Sequence, residues 1–306
     1  MHKDEQSPMN TYWKKMSDLY IDYKGTLFPR MSSCLEDLEF VENEFQVRDD
    51  DVFNVTYPKS GTTWMIEILS LIQKNGDPTW NKTVPNWDRV PWIECLGIAQ
   101  RLKLSDGQPR LITSHLPKHI FMKTFQDSKA KVIYTIRNPK DTAVSLYYFS
   151  KMSGFYKDPE SMDHFLKSFF SENIPFGSWF IHVKEWMEML GKENFMFQTY
   201  EDLHRDLRGS VINICKFIGK ELDDKAIDSV VENASFKNMK ENKMANFTML
   251  PPGYMDHEKS HFMRKGIVGD WKNNFTVAQN EYFDKLYNEE MQNFSVKFPW
   301  DTSIQR

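Results

Sequence analysis

The chain has 306 residues, 40% hydrophobic and 27% charged, enough to bury one large core or two small ones. Its formal net charge of -4 gives no sign of general affinity for nucleic acid or anionic membrane, so any anion site must be local. Met1 to Asn10 contains no apolar leader, no apolar run approaches the roughly 18 residues of a membrane span, and the 3 cysteines (Cys34, Cys95, Cys215) are too sparse for a disulfide frame or a metal cluster. These features read as a cytoplasmic chain with reduced thiols.

Taken in chain order, residues 1–22 read as a loosely ordered N-terminal segment. Val52 to Tyr57 is a short, wholly apolar-biased run and predicts a buried strand. A helix should follow it, because Trp64, Ile68, Leu71 and Ile72 recur at helical spacing and Asn75-Gly76 offers a stop. Arg110 to Thr113 and Lys131 to Ile136 predict two more strands. After the second of these, Asn138 suits an N-cap, Pro139 the first helical position and Asp141 the first turn. Phe195 to Thr199 predicts a fourth strand, and Leu203, Leu207, Val211, Ile212 and Cys215 mark one apolar helical stripe ending near Gly219. Met249 to Tyr254, interrupted by Pro251, Pro252 and Gly253, reads as a flexible lid.

No repeat or low-complexity linker interrupts the pattern, so residues 1–306 are read as one domain. Strands alternating with helices imply an α/β fold with a central, mostly parallel sheet flanked by helices. Ligands of such sheets bind beyond the carboxyl ends of the strands. There stand Tyr57-Pro58-Lys59-Ser60-Gly61, Ser114-His115, Arg137-Asn138 and Tyr200-Glu201.

The first of these is a strand-to-helix turn in which Gly61 permits close backbone approach, Thr62 and Thr63 offer hydroxyls at a helix start, and Lys59 adds a charge. It is not a Walker A loop, since the lysine precedes the glycine. Taken alone it also fits, less well, a plain turn carrying a solvated lysine. Arg137, with Ser145 eight residues on, suits a phosphate, although Arg137 beside Asp141 also fits a surface ion pair. Phe262-Met263-Arg264-Lys265-Gly266 places two cations beside a glycine, a pattern that solvated surface also produces.

Together these residues resemble the cytosolic sulfotransferases, over nearly the whole chain from about Tyr23 to Trp300. Tyr57 to Trp64 is similar to that family's 5′-phosphosulfate loop and Arg264-Lys265-Gly266 to its 3′-phosphate segment, and Arg264 to Lys272 (Arg-Lys-Gly-Ile-Val-Gly-Asp-Trp-Lys) is wording highly specific to the family. Lys240 to Met244 and Phe275 to Gln279 look closest to the hydroxysteroid branch. The resemblance implies a fold like that of P-loop kinases and the nucleotide donor PAPS (3′-phosphoadenosine-5′-phosphosulfate), released as PAP, with no metal. It assigns the 5′ end to Lys59, Ser60, Gly61, Thr62 and Thr63, and the 3′-phosphate to Arg137, Ser145, Arg264, Lys265 and Gly266. Trp64 and Phe236 would sandwich the adenine, with Tyr200, Ala234, Ser235, Met239, Phe262 and Met263 around the nucleotide. A core role for Trp64 and a packing role for Phe236 remain open on the sequence. His115 would be the general base, with Lys59 and Ser145 also at the reaction. The acceptor, a small hydrophobic alcohol, phenol or amine, would meet Phe28, Trp87, Trp92, Phe155 and Tyr254. Lys272, Thr276, Val277 and Glu281 match the family's homodimer pattern, though an exposed helix start explains them too.

The chain departs from the family in two places. Thr113 stands where the phenol-directed branch has lysine, a difference shared with the hydroxysteroid branch. Ala234 stands where a hydroxyl residue is common, which removes one nucleotide hydrogen bond. Two rival readings stand beside this one. A nucleotide kinase of similar fold lacks support from a Walker A order or an acidic Mg²⁺ ligand after a strand. A silent PAP-binding protein would retain the clamp but not the base.

Overall fold

The computed structural model describes residues 18–105 and 109–301. The four expected strands form as Val52–Thr56 (β3), Leu111–Ser114 (β4), Lys131–Ile136 (β5) and Phe195–Thr199 (β6), preceded by a hairpin of Tyr20–Tyr23 (β1) and Thr26–Pro29 (β2). β3 to β6 make one sheet in the order β4-β3-β5-β6, with every neighbouring pair parallel. Val52 registers with Leu111 on one side and Lys131 on the other.

Helices cover both faces, which is why these strands are largely buried along their length rather than alternating buried and exposed. Val132, Tyr134 and Ile136 face one core, shared with Leu146 of helix α3 (Pro139–Met152) and with Trp179 and Trp186 of α4 (Trp179–Met187). Ile133 faces the other, with Met65, Ile68 and Leu69 of α2 (Thr62–Gln73), Val211 and Ile214 of α5 (Leu207–Ile218), and Val230 of α6 (Asp224–Asn233). Helix α1 (Leu35–Asn43) packs beneath the hairpin and contributes Leu38 and Val41 to the first core. From β3 the chain passes to β4 on one side and then to β5 on the other. The order therefore reverses at β3, and a crevice opens beyond its carboxyl end.

Local signals account for the helix starts. Asn138 caps α3 through a 2.9 Å bond from the Lys140 amide to its side chain, with Pro139 at the first position. The expected single stripe from Leu203 to Gly219 is instead two helices, Tyr200–Arg205 and Leu207–Ile218. Asp206 has a non-helical φ of -145° and its carboxylate caps the second helix by accepting from the Gly209 amide at 2.8 Å. The expected loose N-terminus is overturned for its last residues. Tyr20 and Ile21 are buried in the hairpin, which turns at Lys24-Gly25 with φ of 53° and 81°, the left-handed pair that a two-residue hairpin needs. Residues 1–17 of that segment lie outside the described residues.

Candidate active site

The chain leaves β3 through a loop in which Lys59 (φ 69°) and Gly61 (φ 111°) are both left-handed, and α2 starts immediately after it. A Cβ on Gly61 would lie 3.0 Å from Tyr200 Cδ2, so glycine lets the loop close against that ring. α2 has no side-chain cap, which leaves its first amides and the positive end of its dipole facing the crevice. The Lys59 ammonium sits between two aromatic rings, 4.2 Å from the centroid of Phe149 and 4.0 Å from that of Phe262. Burial, reinforced by Arg137 and Arg264, lowers its pKa from 10.5 to about 7.

Arg137 emerges from β5 beside it. It donates to the Lys59 carbonyl at 3.3 Å and the Ile267 carbonyl at 3.1 Å, and its guanidinium lies 4.2 Å from the Tyr200 ring centroid. Its Nε is buried without a partner among the described residues. Arg264 and Lys265 each donate to Asp270 at 2.7 Å. Burial pushes the Asp270 carboxyl up, but the bonds from Lys265, Asn273 and Arg264 outweigh it and hold the pKa at about 2. Gly266 has φ of 65°, and a Cβ there would come within 2.2 Å of Phe236 Cδ2.

His115 follows β4 and is tied down on every side. Its Nδ1–H donates to the Thr56 carbonyl at 2.8 Å, and its Nε2 accepts from the Trp92 indole at 3.0 Å. A carbonyl can only accept and an indole N–H can only donate, so the proton sits on Nδ1 and the lone pair on Nε2. The His115 amide donates to Glu94 Oε1 at 2.8 Å, and the His115 carbonyl accepts from His182 Nε2 at 3.2 Å. Burial, with a contribution from Lys59, drops the His115 pKa to about 4 against the opposing bond from Thr56. Thr56 also links this ring to the anion loop, because its hydroxyl lies 2.6 Å from that of Thr62.

A single cavity of about 710 Å³ joins these groups. Lys59, Gly61, Thr62, Thr63, Trp64, Arg137, Ser145, Tyr200, Ser235, Phe236, Met239, Phe262, Met263, Arg264, Lys265 and Gly266 line it, and so do Trp87, Trp92, His115, Phe155 and Tyr254. Three expected residues do not. Ser60 is fully buried, with its amide bonded to the Tyr57 carbonyl at 3.2 Å and its hydroxyl without a partner among the described residues. Ala234 packs its methyl into the core, and only its carbonyl serves the site by accepting the Trp64 indole at 2.8 Å. Phe28 is fully buried behind Phe176, edge-on at 5.4 Å, and it is Phe176 that reaches the cavity. Thr113 is also buried, donating to the Val90 carbonyl at 3.0 Å, and does not line the cavity.

The sequence reading missed Glu94, Phe149, Phe176, Phe247 and Asp270, all of which line the cavity. Asp270 could have been found, since a carboxylate four residues after Gly266 is well placed to answer two cations. No periodic signal marks the others. Among the described residues no cluster of His, Cys, Asp and Glu could hold a metal ion, and no helix is long and apolar enough to cross a membrane.

A cationic cradle at the reversal point of a parallel sheet, continuous with an apolar chamber and a neutral imidazole, is the site of a group-transfer enzyme that uses an anionic donor. The chain belongs to the sulfotransferases: residues 49–295 match the Sulfotransferase domain family. It is 52% identical to Sulfotransferase 2B1 of Homo sapiens, over 94% of this chain and 78% of that protein. It is 48% identical to 3-beta-hydroxysteroid sulfotransferase of Cavia porcellus, over 94% of this chain and 99% of that protein. The fold is similar to that of mouse sulfotransferase SULT7A1 complexed with PAP, with a TM-score of 0.75 and 32% identity over 90% of this chain and 95% of that one.

Proposed function

We propose that this chain transfers the sulfuryl group of PAPS to the hydroxyl of a hydroxysteroid-like acceptor. The observation that carries the reading is the continuity of one cavity from the Lys59, Arg137 and Arg264 cradle, past His115, to a wall of Trp87, Trp92, Phe155, Phe247 and Tyr254. The unpartnered Arg137 Nε, the uncapped start of α2 and the space left by the missing side chains of Gly61 and Gly266 all suit a nucleotide bearing two anionic ends.

PAPS supplies a sulfuryl group already bonded to a phosphate leaving group. In this reading the α2 amides, Thr62 and Thr63 hold its 5′ end, and Lys59 stabilises the negative charge that develops on the bridging oxygen. Arg137, Ser145, Arg264, Lys265 and the Gly266 amide take the 3′-phosphate, with Trp64 and Phe236 on either face of the adenine. His115 Nε2 is the lone pair that receives the acceptor's hydroxyl proton, in the tautomer fixed by Thr56. The aromatic chamber excludes water and orients an apolar body, which favours a steroid over a small polar alcohol. Competition among a 3β-hydroxysteroid, a simple phenol, an oestrogen and a catecholamine for limiting PAPS tests the acceptor class. The 3β-hydroxysteroid should have the highest kcat/KM, and a catecholamine in first place would overturn the assignment.

Gly266→Ala is expected to weaken PAP binding by about tenfold or more, roughly 1.4 kcal/mol, because the new Cβ displaces Phe236 from the adenine position. Titration calorimetry checks this, and unchanged affinity would remove Phe236 from the nucleotide site.

The chain is also proposed to pair as a homodimer in the cytoplasm. Lys272, Thr276, Val277 and Glu281 are exposed around the start of the helix Val277–Met291, and Val277 is 76% exposed. Thr276 additionally caps that helix, with the Gln279 amide donating to its hydroxyl at 3.2 Å. An apolar side chain so bare at a helix start suits a small interface. Val277→Glu should shift sedimentation at micromolar concentration from dimer to monomer, and a dimer that persists would place the interface elsewhere.

A further inference from the structure

The indole of Trp92 does more than wall the acceptor chamber. Its N–H is directed at the one atom of His115 that proton transfer needs, at 3.0 Å. The rest of the residue leaves it little freedom to turn away. Its backbone bridges Thr113 at the free edge of β4, where the Ile93 amide donates to the Thr113 carbonyl at 3.0 Å and the Thr113 amide to the Pro91 carbonyl at 2.9 Å. Its ring packs on Phe247 at a centroid distance of 6.4 Å and on the His115 ring at 6.2 Å. Two residues along the same strap, Glu94 holds the His115 amide. The segment 92–94 therefore grips the histidine at both its backbone and its ring.

We propose that Trp92 is a positioning residue that latches His115, capping the Nε2 lone pair with its indole N–H until an acceptor hydroxyl enters and displaces it. The inference rests on the reading of His115 as the base. Two consequences follow from hydrogen-bond chemistry. An indole donor stabilises the neutral ring with its lone pair on Nε2, so it selects the tautomer that Thr56 selects from the other side. An acceptor hydroxyl must replace that donor with its own O–H, so the latch opposes acceptor binding and rejects molecules that fill the chamber without a hydroxyl at His115.

The test has two parts, the first independent of turnover. In ¹⁵N-labelled protein without ligands, the His115 ring should show Nδ1 protonated and Nε2 bare, and the Trp92 indole resonance should move upfield when His115→Ala removes its acceptor. A proton on Nε2, or an indole resonance indifferent to that substitution, overturns the latch whatever the enzyme does. The second part compares Trp92→Phe with a variant carrying a benzothiophene analogue of tryptophan at 92, which keeps the ring size but lacks the N–H. With the analogue, acceptor KM should fall about two- to tenfold while kcat stays within about threefold. A KM that rises in both variants would make Trp92 only a wall of the chamber. Absence of all transfer in the wild type would instead defeat the reading of the site, with the resonance data still deciding the latch.

Discussion

His115→Ala is expected to lower sulfuryl transfer by about 10²- to 10⁴-fold while leaving PAP affinity within about threefold. The reasoning starts from the ring's surroundings. At pH 7 the imidazole is neutral, because burial and Lys59 keep its pKa near 4, and its lone pair is on the nitrogen that faces Trp92 and the cavity. Such a low value makes a weak base in the empty protein. The negative charge of a bound donor favours the protonated ring, so the basicity of His115 rises when the donor is in place. Activity should then fall as pH drops through the histidine's pKa, since the protonated ring has no lone pair. Nucleotide binding is spared because the ring bonds to Thr56 and Trp92, and the backbone to Glu94 and His182, rather than to Arg137, Arg264 or Lys265. Steady-state kinetics with calorimetric PAP titration separate the two effects, and a parallel loss of both would make His115 structural.

Lys59→Met is expected to reduce kcat by about 10²- to 10³-fold, or roughly 2.7–4 kcal/mol of stabilisation that is made only as charge develops on the leaving phosphate. Methionine keeps the contact with Phe149 and Phe262 and removes only the charge, so the fold should persist. A linked effect appears in binding. With a pKa near 7, Lys59 is largely neutral at pH 8, and an anion that requires the ammonium must bring a proton with it. PAP affinity should therefore decline as pH rises from 7 to 9. Titrations at pH 8 in buffers of different ionisation enthalpy should show proton uptake in the wild type and markedly less in Lys59→Met. Equal uptake in the two proteins would assign the proton to another group.

The elements that position the site were the easiest to read. β3 and β5 are buried on both faces and β6 largely so, which makes their runs stand out, and Asn138-Pro139 marks a helix start whose capping is wholly local. The cradle was legible for the same reason: Lys59, Gly61 and Arg137 sit next to strands whose ends could be located. What escaped the sequence depends on contacts between distant segments. Phe28 and Phe176 are 148 positions apart, and nothing in either stretch shows which ring faces the chamber and which stands behind it. Ser60 and Ala234 fit the motif pattern, yet the left-handed turn at Lys59 buries one side chain and the core absorbs the other. Glu94 is a carboxyl held by the His115 amide, with a pKa raised by burial to about 7, in a stretch whose sequence suggested only aromatics. The hairpin over Tyr20–Pro29 overlaps the end of the segment read as loosely ordered, since strands of four residues are too short to show a period.

The most direct test of the account is transfer of ³⁵S from labelled PAPS to a 3β-hydroxysteroid by the purified wild-type chain, with the product and PAP counted together. The account predicts labelled steroid sulfate and PAP in a one-to-one ratio. PAP appearing without labelled steroid, or no reaction with any hydroxyl acceptor despite tight PAP binding, would contradict it.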